Sequence, residues 1–363
     1  MSGPGPHTTL VAPAFDGPID VVGDVHGEID ALGSLLRVLG YDDGGEHAQG
    51  RRLVFIGDLC DRGPDSPAVI GRVRQLVAAG VAQCLLGNHE LSVLRGVRKE
   101  ANGWFFADDH DRRRGTILDS LPPADDPERD AIREFLSSLP LALEGADLRI
   151  VHACWDDERL AELRAADPGT GAAELHRQYS LRAEEHTRAL GWLEEAQAQQ
   201  REYGPLLRDR TAQVPMLDAL AQSDVHYQMS NPIRVLTSGT EHRAAAPYFM
   251  AGKWRMVERG EWWRDYAGPV PVVFGHYWRW PDPRAGERFG PHARNPFPGR
   301  AAHEWLGADD NAFCIDYCVG ARFAERAGWP GLPFRSRLGA LRWPERELIF
   351  EDGSGRETAV APR

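Results

Sequence analysis

Along residues 18–90, short apolar runs alternate with stretches that are apolar on one side only. Residues 19–22 read as a buried strand, and residues 28–39 place Ile29, Leu32, Leu35, Leu36 and Leu39 at helical spacing, with Gly40 as the stop. A second strand is expected over 52–56. A helix follows over 66–79, with Pro67 in its first turn where proline is tolerated, and then a third strand over 81–86. This alternation predicts crossover units and a largely parallel sheet. Residues 148–151 and 270–274 are further short apolar runs. Residues 313–316, 338–342 and 347–350 are also strand-like, and Trp343-Pro344-Glu345-Arg346 suits the turn of an antiparallel hairpin.

The pattern changes in two places. Residues 1–17 are rich in Pro and Gly and read as a flexible N-terminal arm, leaving 18–363 as one domain. Within it, 155–265 reads as an inserted helical and aromatic subdomain: 172–207 is one long helix or a helical pair, and 254–266 carries Trp254, Trp262, Trp263 and Tyr266 among basic residues. That aromatic stretch is read as packing, with a platform for a flat substrate supported by Arg255 as the functional alternative.

Composition narrows the function. The formal charge of −12 over 363 residues argues against extended nucleic-acid binding, although a local metal pair still admits a small phosphorylated substrate. Five cysteines without a CxxC read as reduced, buried thiols. With no leader-like or membrane-spanning segment in the pattern, a cytoplasmic protein is expected.

Chemistry concentrates where the apolar runs end. Gly23-Asp24-Val25-His26-Gly27, Gly57-Asp58-Leu59-Cys60-Asp61-Arg62-Gly63, Gly87-Asn88-His89-Glu90, Val151-His152 and Gly275-His276 each follow a strand-like run. Ligands in open α/β sheets lie beyond the carboxyl ends of strands. Carboxylate and amide oxygens mixed with imidazoles suit Mn, Fe or Zn. Taken singly, Asp24 could be a helix cap and His152 a core histidine; together the five segments point to a two-metal hydrolytic site.

At these motifs the chain resembles the calcineurin-like metallophosphoesterases, in particular the PPP-type phosphatase group with its GDxHG, GDxxDRG and GNH[ED] signatures. It is also similar to the phosphatase module of bacterial polynucleotide kinase-phosphatases and to symmetric diadenosine tetraphosphate hydrolases. The resemblance implies a four-layer αββα sandwich of mixed sheets and two divalent metal ions, manganese first, iron or zinc also fitting. It places Asp24 and His26 on one metal, Asp58 as the bridge, and Asn88, His152 and His276 on the other. A metal-bound hydroxide would attack the phosphate. His89 would protonate the leaving oxygen, Asp61 would orient it, and Arg62, with Asn88, would hold the phosphate.

Departures from the group are visible. His152 precedes Ala153-Cys154-Trp155, so Trp155 could narrow the cleft, and the second phosphate-binding arginine is open among Arg234, Arg243 and Arg255. Diadenosine tetraphosphate hydrolases tend to carry Ala where Asp61 stands, which favours phosphomonoesters on a protein or small molecule, as in serine/threonine phosphatases. Diadenosine polyphosphate or nucleic-acid-end hydrolysis is the alternative, and a metal-free scaffold is the reading from another class. Asp316 resembles a motif near the end of these phosphatases and is read as a strand end. Arg112-Arg113-Arg114 reads as a solvated loop or an attractor for anions.

Overall fold

The computed structural model describes residues 9–99, 101–106, 121–122, 125–167, 169–250, 252–282 and 295–359. Strands β2 (Ile19–Val22), β3 (Arg52–Phe55) and β4 (Ala82–Cys84) run parallel. They are joined by α1 (Ile29–Leu39), which stops at Gly40 in the left-handed conformation, and α2 (Ser66–Ala78). Beyond β2 the sheet continues antiparallel through β11 (Gly339–Trp343), β12 (Glu347–Phe350) and β13 (Gly355–Glu357). The expected hairpin at 343–346 joins β11 to β12.

A second sheet has the order β1 (Val11–Pro13), β5 (Ala142–Glu144), β6 (Arg149–Val151), β9 (Val272–Phe274), β10 (Ala312–Cys314). Its last three strands are mutually parallel. The flexible arm expected over 1–17 is therefore corrected at its end. Leu10 is buried and Val11–Pro13 pair in parallel with β5, because three apolar residues outweigh the local proline content. Residues 1–8 lie outside the described residues, as does the Arg112-Arg113-Arg114 run.

Side-chain alternation explains the layering. Val21, Val54, Ile150, Val273, Phe313 and Leu341 meet in a core between the two sheets. Their neighbours Val22, Phe55, Val151, Phe274, Cys314 and Ala340 point the other way, into a second core. There Leu32, Leu35 and Leu36 of α1 and Val69, Ile70 and Val73 of α2 cover the first sheet. The central strands β2, β3, β6 and β9 are buried on both faces, so they read as continuous apolar runs rather than alternating ones. The result is the αββα sandwich. No helix among the described residues is long and apolar enough to cross a membrane.

Between 155 and 265 the chain forms α6 (Asp157–Arg164), α7 (Ala172–Ala189), α8 (Trp192–Tyr203), α9 (Asp218–Met229) and α10 (Pro232–Ser238). An antiparallel hairpin of β7 (Glu241–Met250) and β8 (Lys253–Arg259) follows. The 172–207 stretch is a helical pair, broken at Gly191 (φ 74°). Leu207, Val214, Leu217, Ala221 and Met256 close a small separate core under the hairpin. Trp263 is buried and stacks on Phe274 at 5.5 Å, and Trp262 Nε1 donates to the Ala153 carbonyl at 2.8 Å, so both pack into the core, although Trp263 also lines a cavity.

Candidate metal centre

The parallel strands of both sheets end at the same place. Asp24, Asp58 and Asn88 follow β2, β3 and β4, while His152, His276 and Asp316 follow β6, β9 and β10. The turns that deliver them are tight. His26, Asp58, Asp61, Arg62 and His276 all adopt positive φ, a conformation uncommon outside glycine that clusters at functional sites. The flanking glycines serve two needs. Gly57 has φ 97°, whereas Gly275 is required by proximity, since a Cβ there would stand 2.3 Å from both Asp24 Oδ1 and Ile56 Cδ1.

Asp58 sits at the centre. Its oxygens and ring nitrogens of His26 and His89 lie within 4.8 Å of one another, and so do those of Asp58, His152 and His276. One carboxylate thus belongs to two clusters. Asp24 Oδ2 is 3.9 Å from His26 Nε2, and Asn88 Oδ1 is 3.3 Å from His152 Nε2. All of the expected ligands Asp24, His26, Asp58, Asn88, His152 and His276 line or adjoin one cavity.

Two imidazoles are held in the tautomer a metal needs. His26 Nδ1 lies 3.0 Å from the Cys60 carbonyl and His152 Nδ1 2.8 Å from the Ile56 carbonyl. A carbonyl only accepts, so each Nδ1 carries a proton and each Nε2 is the nitrogen turned toward the cluster. His276 Nε2 is buried with no hydrogen-bond partner, and Asp316 Oδ2 is likewise orphaned. Buried polar atoms are rarely left so. The residues fit a pair of divalent cations.

The electrostatics agree. Burial, reinforced by Asp316 and Asp58, pushes the Asp24 carboxyl well above its ordinary range, and burial raises Asp316 to about 6. Burial depresses His276, helped by Arg259, and depresses His26, helped by Arg62. His152 moves to about 10: burial opposes protonation there, but Asp58 and Asp24 outweigh it. Clustered buried carboxylates of this kind are costly without positive charge.

Around the cluster, His89 Nδ1 lies 2.6 Å from Asp61 Oδ2, and Trp104 Nε1 donates to Asp61 Oδ1 at 2.7 Å. The Arg62 nitrogens stand 2.9 Å from His26 Nε2 and 3.2 Å from His89 Nε2. Glu90, on α3 (Asn88–Leu94), accepts from the backbone N–H groups of Asp58, Leu59, Cys60 and Gly87 at 2.8–3.2 Å. One carboxylate therefore shapes the loop that carries Asp58.

The cavity measures about 570 Å³ and is lined by residues of the cluster, by Arg62 and Trp278, and by Tyr248, Arg255 and Arg259 of the hairpin. Of the three arginines considered for a second phosphate contact, only Arg255 lines it. Arg243 is ion-paired with Asp218. Arg259, not singled out from the sequence, lines the cavity as well. Trp155 does not; it is buried, with the Arg149 guanidinium 4.8 Å from its ring. Trp278 and Trp280 supply aromatic wall instead. Their position after His276 was the one available signal. His226 and His242 pair with His186 and Glu258 and do not line the cavity.

Two candidate metal-binding groups at the strand ends of an αββα sandwich define the class. The chain belongs to the calcineurin-like phosphoesterase family, whose model matches residues 17–228. It is 47% identical over 74 residues to an asymmetrical bis(5'-nucleosyl)-tetraphosphatase of Oceanobacillus iheyensis, covering 20% of this chain and 30% of that protein. It is 34% identical over 139 residues to a symmetrical bis(5'-nucleosyl)-tetraphosphatase of Ralstonia nicotianae, covering 38% and 41%. The chain thus spans less than half the length of these two curated relatives. Among solved structures, a cold-active protein-tyrosine phosphatase of a psychrophilic Shewanella aligns over 96% of this chain and 82% of its own, at 16% identity and a TM-score of 0.48.

Proposed function

We propose that the protein is a two-metal phosphohydrolase acting on a nucleotide substrate, with dinucleoside polyphosphates as the favoured class. The observation that carries this reading is the cavity itself, with a ligand cluster for floor and aromatic and arginine side chains for walls. The names of the relatives point the same way.

In this reading Asp24 and His26 would hold one ion, Asn88, His152 and His276 would hold the other, and Asp58 would be shared between them. Manganese suits their oxygen and nitrogen donors. Bound there, two cations supply Lewis acidity to the phosphoryl oxygens and lower the pKa of an attacking water. The chain supplies the rest. Arg62 forks onto phosphate oxygens, which replace the ring nitrogens it faces at rest. Asn88 adds an amide beside them. His89 gives a proton from Nε2 to the leaving oxygen, while Asp61, pinned by Trp104, accepts from Nδ1 and keeps the ring aligned.

A second reading, hydrolysis of phosphomonoesters on a small molecule or protein, is favoured by the Asp61–His89 pair. An alkoxide leaving group needs a proton, and a phosphate leaving group needs one far less. The deciding experiment compares kcat/KM of the Mn-loaded protein on diadenosine tetraphosphate, a phosphoserine peptide, p-nitrophenyl phosphate and its bis-ester. Our reading expects the dinucleotide to lead by at least about tenfold. A lead for the peptide selects the second reading. Absence of turnover with Mn, Fe, Co and Zn would leave the scaffold role.

A further inference from the structure

Strand β8 is two-faced. Trp254 and Met256 pack into the small helical core, whereas Arg255 and Arg259 line the cavity, as the two-residue period of a strand dictates; Val257 between them touches both. From the partner strand, Glu241 lies opposite Arg259 and Tyr248 opposite Arg255. The register slips between Arg243 and Tyr248, and this irregularity brings Tyr248 and Met250 onto the cavity side as well.

The two arginines stand at different depths. The Arg259 guanidinium is 5.8 Å from the Tyr277 ring, which is 5.3 Å from the His276 ring, so it belongs to the metal end. Arg255 is four residues away, about 13 Å along a strand, near the hairpin tip. Its Nε makes one long contact, 3.5 Å to the Met250 carbonyl. Among the described residues it forms no ion pair within 4 Å, its nearest acidic influences being the Asp224 and Glu241 carboxyls, whose ionisation its charge favours. Arg259 sits directly opposite Glu241 in the ladder and acts on its carboxyl more strongly than Arg255 does.

We infer that Arg255 forms a distal anion subsite, so that the cavity face of β8 measures a substrate with a second anionic group several bonds beyond the scissile phosphate. The ligand chemistry is an oligophosphate chain, with Tyr248 beside it to meet an apolar or flat end. This deepens the nucleotide reading and rests on it. A monoester carrying a single phosphate would leave Arg255 idle.

The test measures binding of inorganic tripolyphosphate and orthophosphate to the Mn-loaded protein by calorimetry, with free Mn²⁺ buffered. The wild type is expected to prefer tripolyphosphate. Arg255→Gln should narrow the ratio of the two dissociation constants about tenfold, and Arg255→Lys should restore part of it. Arg243→Gln, on the same hairpin but outside the cavity, should leave the ratio alone. A wild type without preference, an unchanged ratio in Arg255→Gln, parallel weakening of both anions, or an equal effect of Arg243→Gln would each overturn the subsite. Because binding is read directly, this result is independent of turnover. The nucleotide reading fails separately if the wild type does not cleave diadenosine tetraphosphate.

Discussion

Asp58 is shared between two groups of potential ligands and lies within 3.4–3.9 Å of the ring nitrogens of His26, His89 and His152. The proposed function gives His89 a different task. His89→Asn should keep the metals and slow hydrolysis of alkyl phosphates by about 10²–10⁴-fold, while p-nitrophenyl phosphate slows much less. Equal slowing on both substrates would remove the proton-donor role. At this scale the sequence was most informative, because Asp24, His26, Asp58, Asn88, His152 and His276 each follow an apolar run. It was less so for residues whose role depends on distant contacts. Asp316 came as a sixth strand end, yet only the fold sets it beside Asp24. Arg259 was one basic residue among several until β8 aimed it at the cavity.

Among elements, the loop after β3 is the most constrained. Glu90 gathers several of its backbone N–H groups, and the Cys60 thiol as well at 3.1 Å. Replacing Glu90 by Gln removes an acceptor and should cost about 2 kcal/mol, seen as a lower Tm and weaker metal retention. An unchanged Tm would mean the loop holds its shape unaided. Strands β2, β3, β6 and β9 were legible because both their faces are buried. The hairpin was not. Glu241–Met250 is mixed in polarity and contains Pro247 and three alanines, so neither strand period stands out, and a register slip further hides it. The N-terminal strand was masked in the same way by the prolines around Val11–Pro13.

At the scale of the whole molecule, the candidate metal centre draws its residues from the strand ends of both sheets, so metal occupancy and stability should be linked. Chelation should lower Tm, by the equivalent of about 2.7 kcal/mol per ion present at 100 times its Kd. No change on chelation would disconnect the centre from the fold. Acid should act elsewhere too. His176, on α7, is buried and its pKa falls to about 3, through burial and then the charges of Arg95 and Arg234. The unfolded chain binds the proton more readily, so this contribution is present above about pH 6.5 and is lost as pH falls toward 3. His176→Gln should flatten the fall of Tm between pH 6.5 and 4, and an identical slope in the variant would assign it to other groups.

The most direct measurement is the metal content of the Mn-loaded protein and of Asp58→Asn, by mass spectrometry after removal of free ions. The account predicts about two ions per chain in the wild type, falling toward none in the variant because both ions share that carboxylate. A wild type holding one ion or none, or a variant that keeps its full complement, would contradict it.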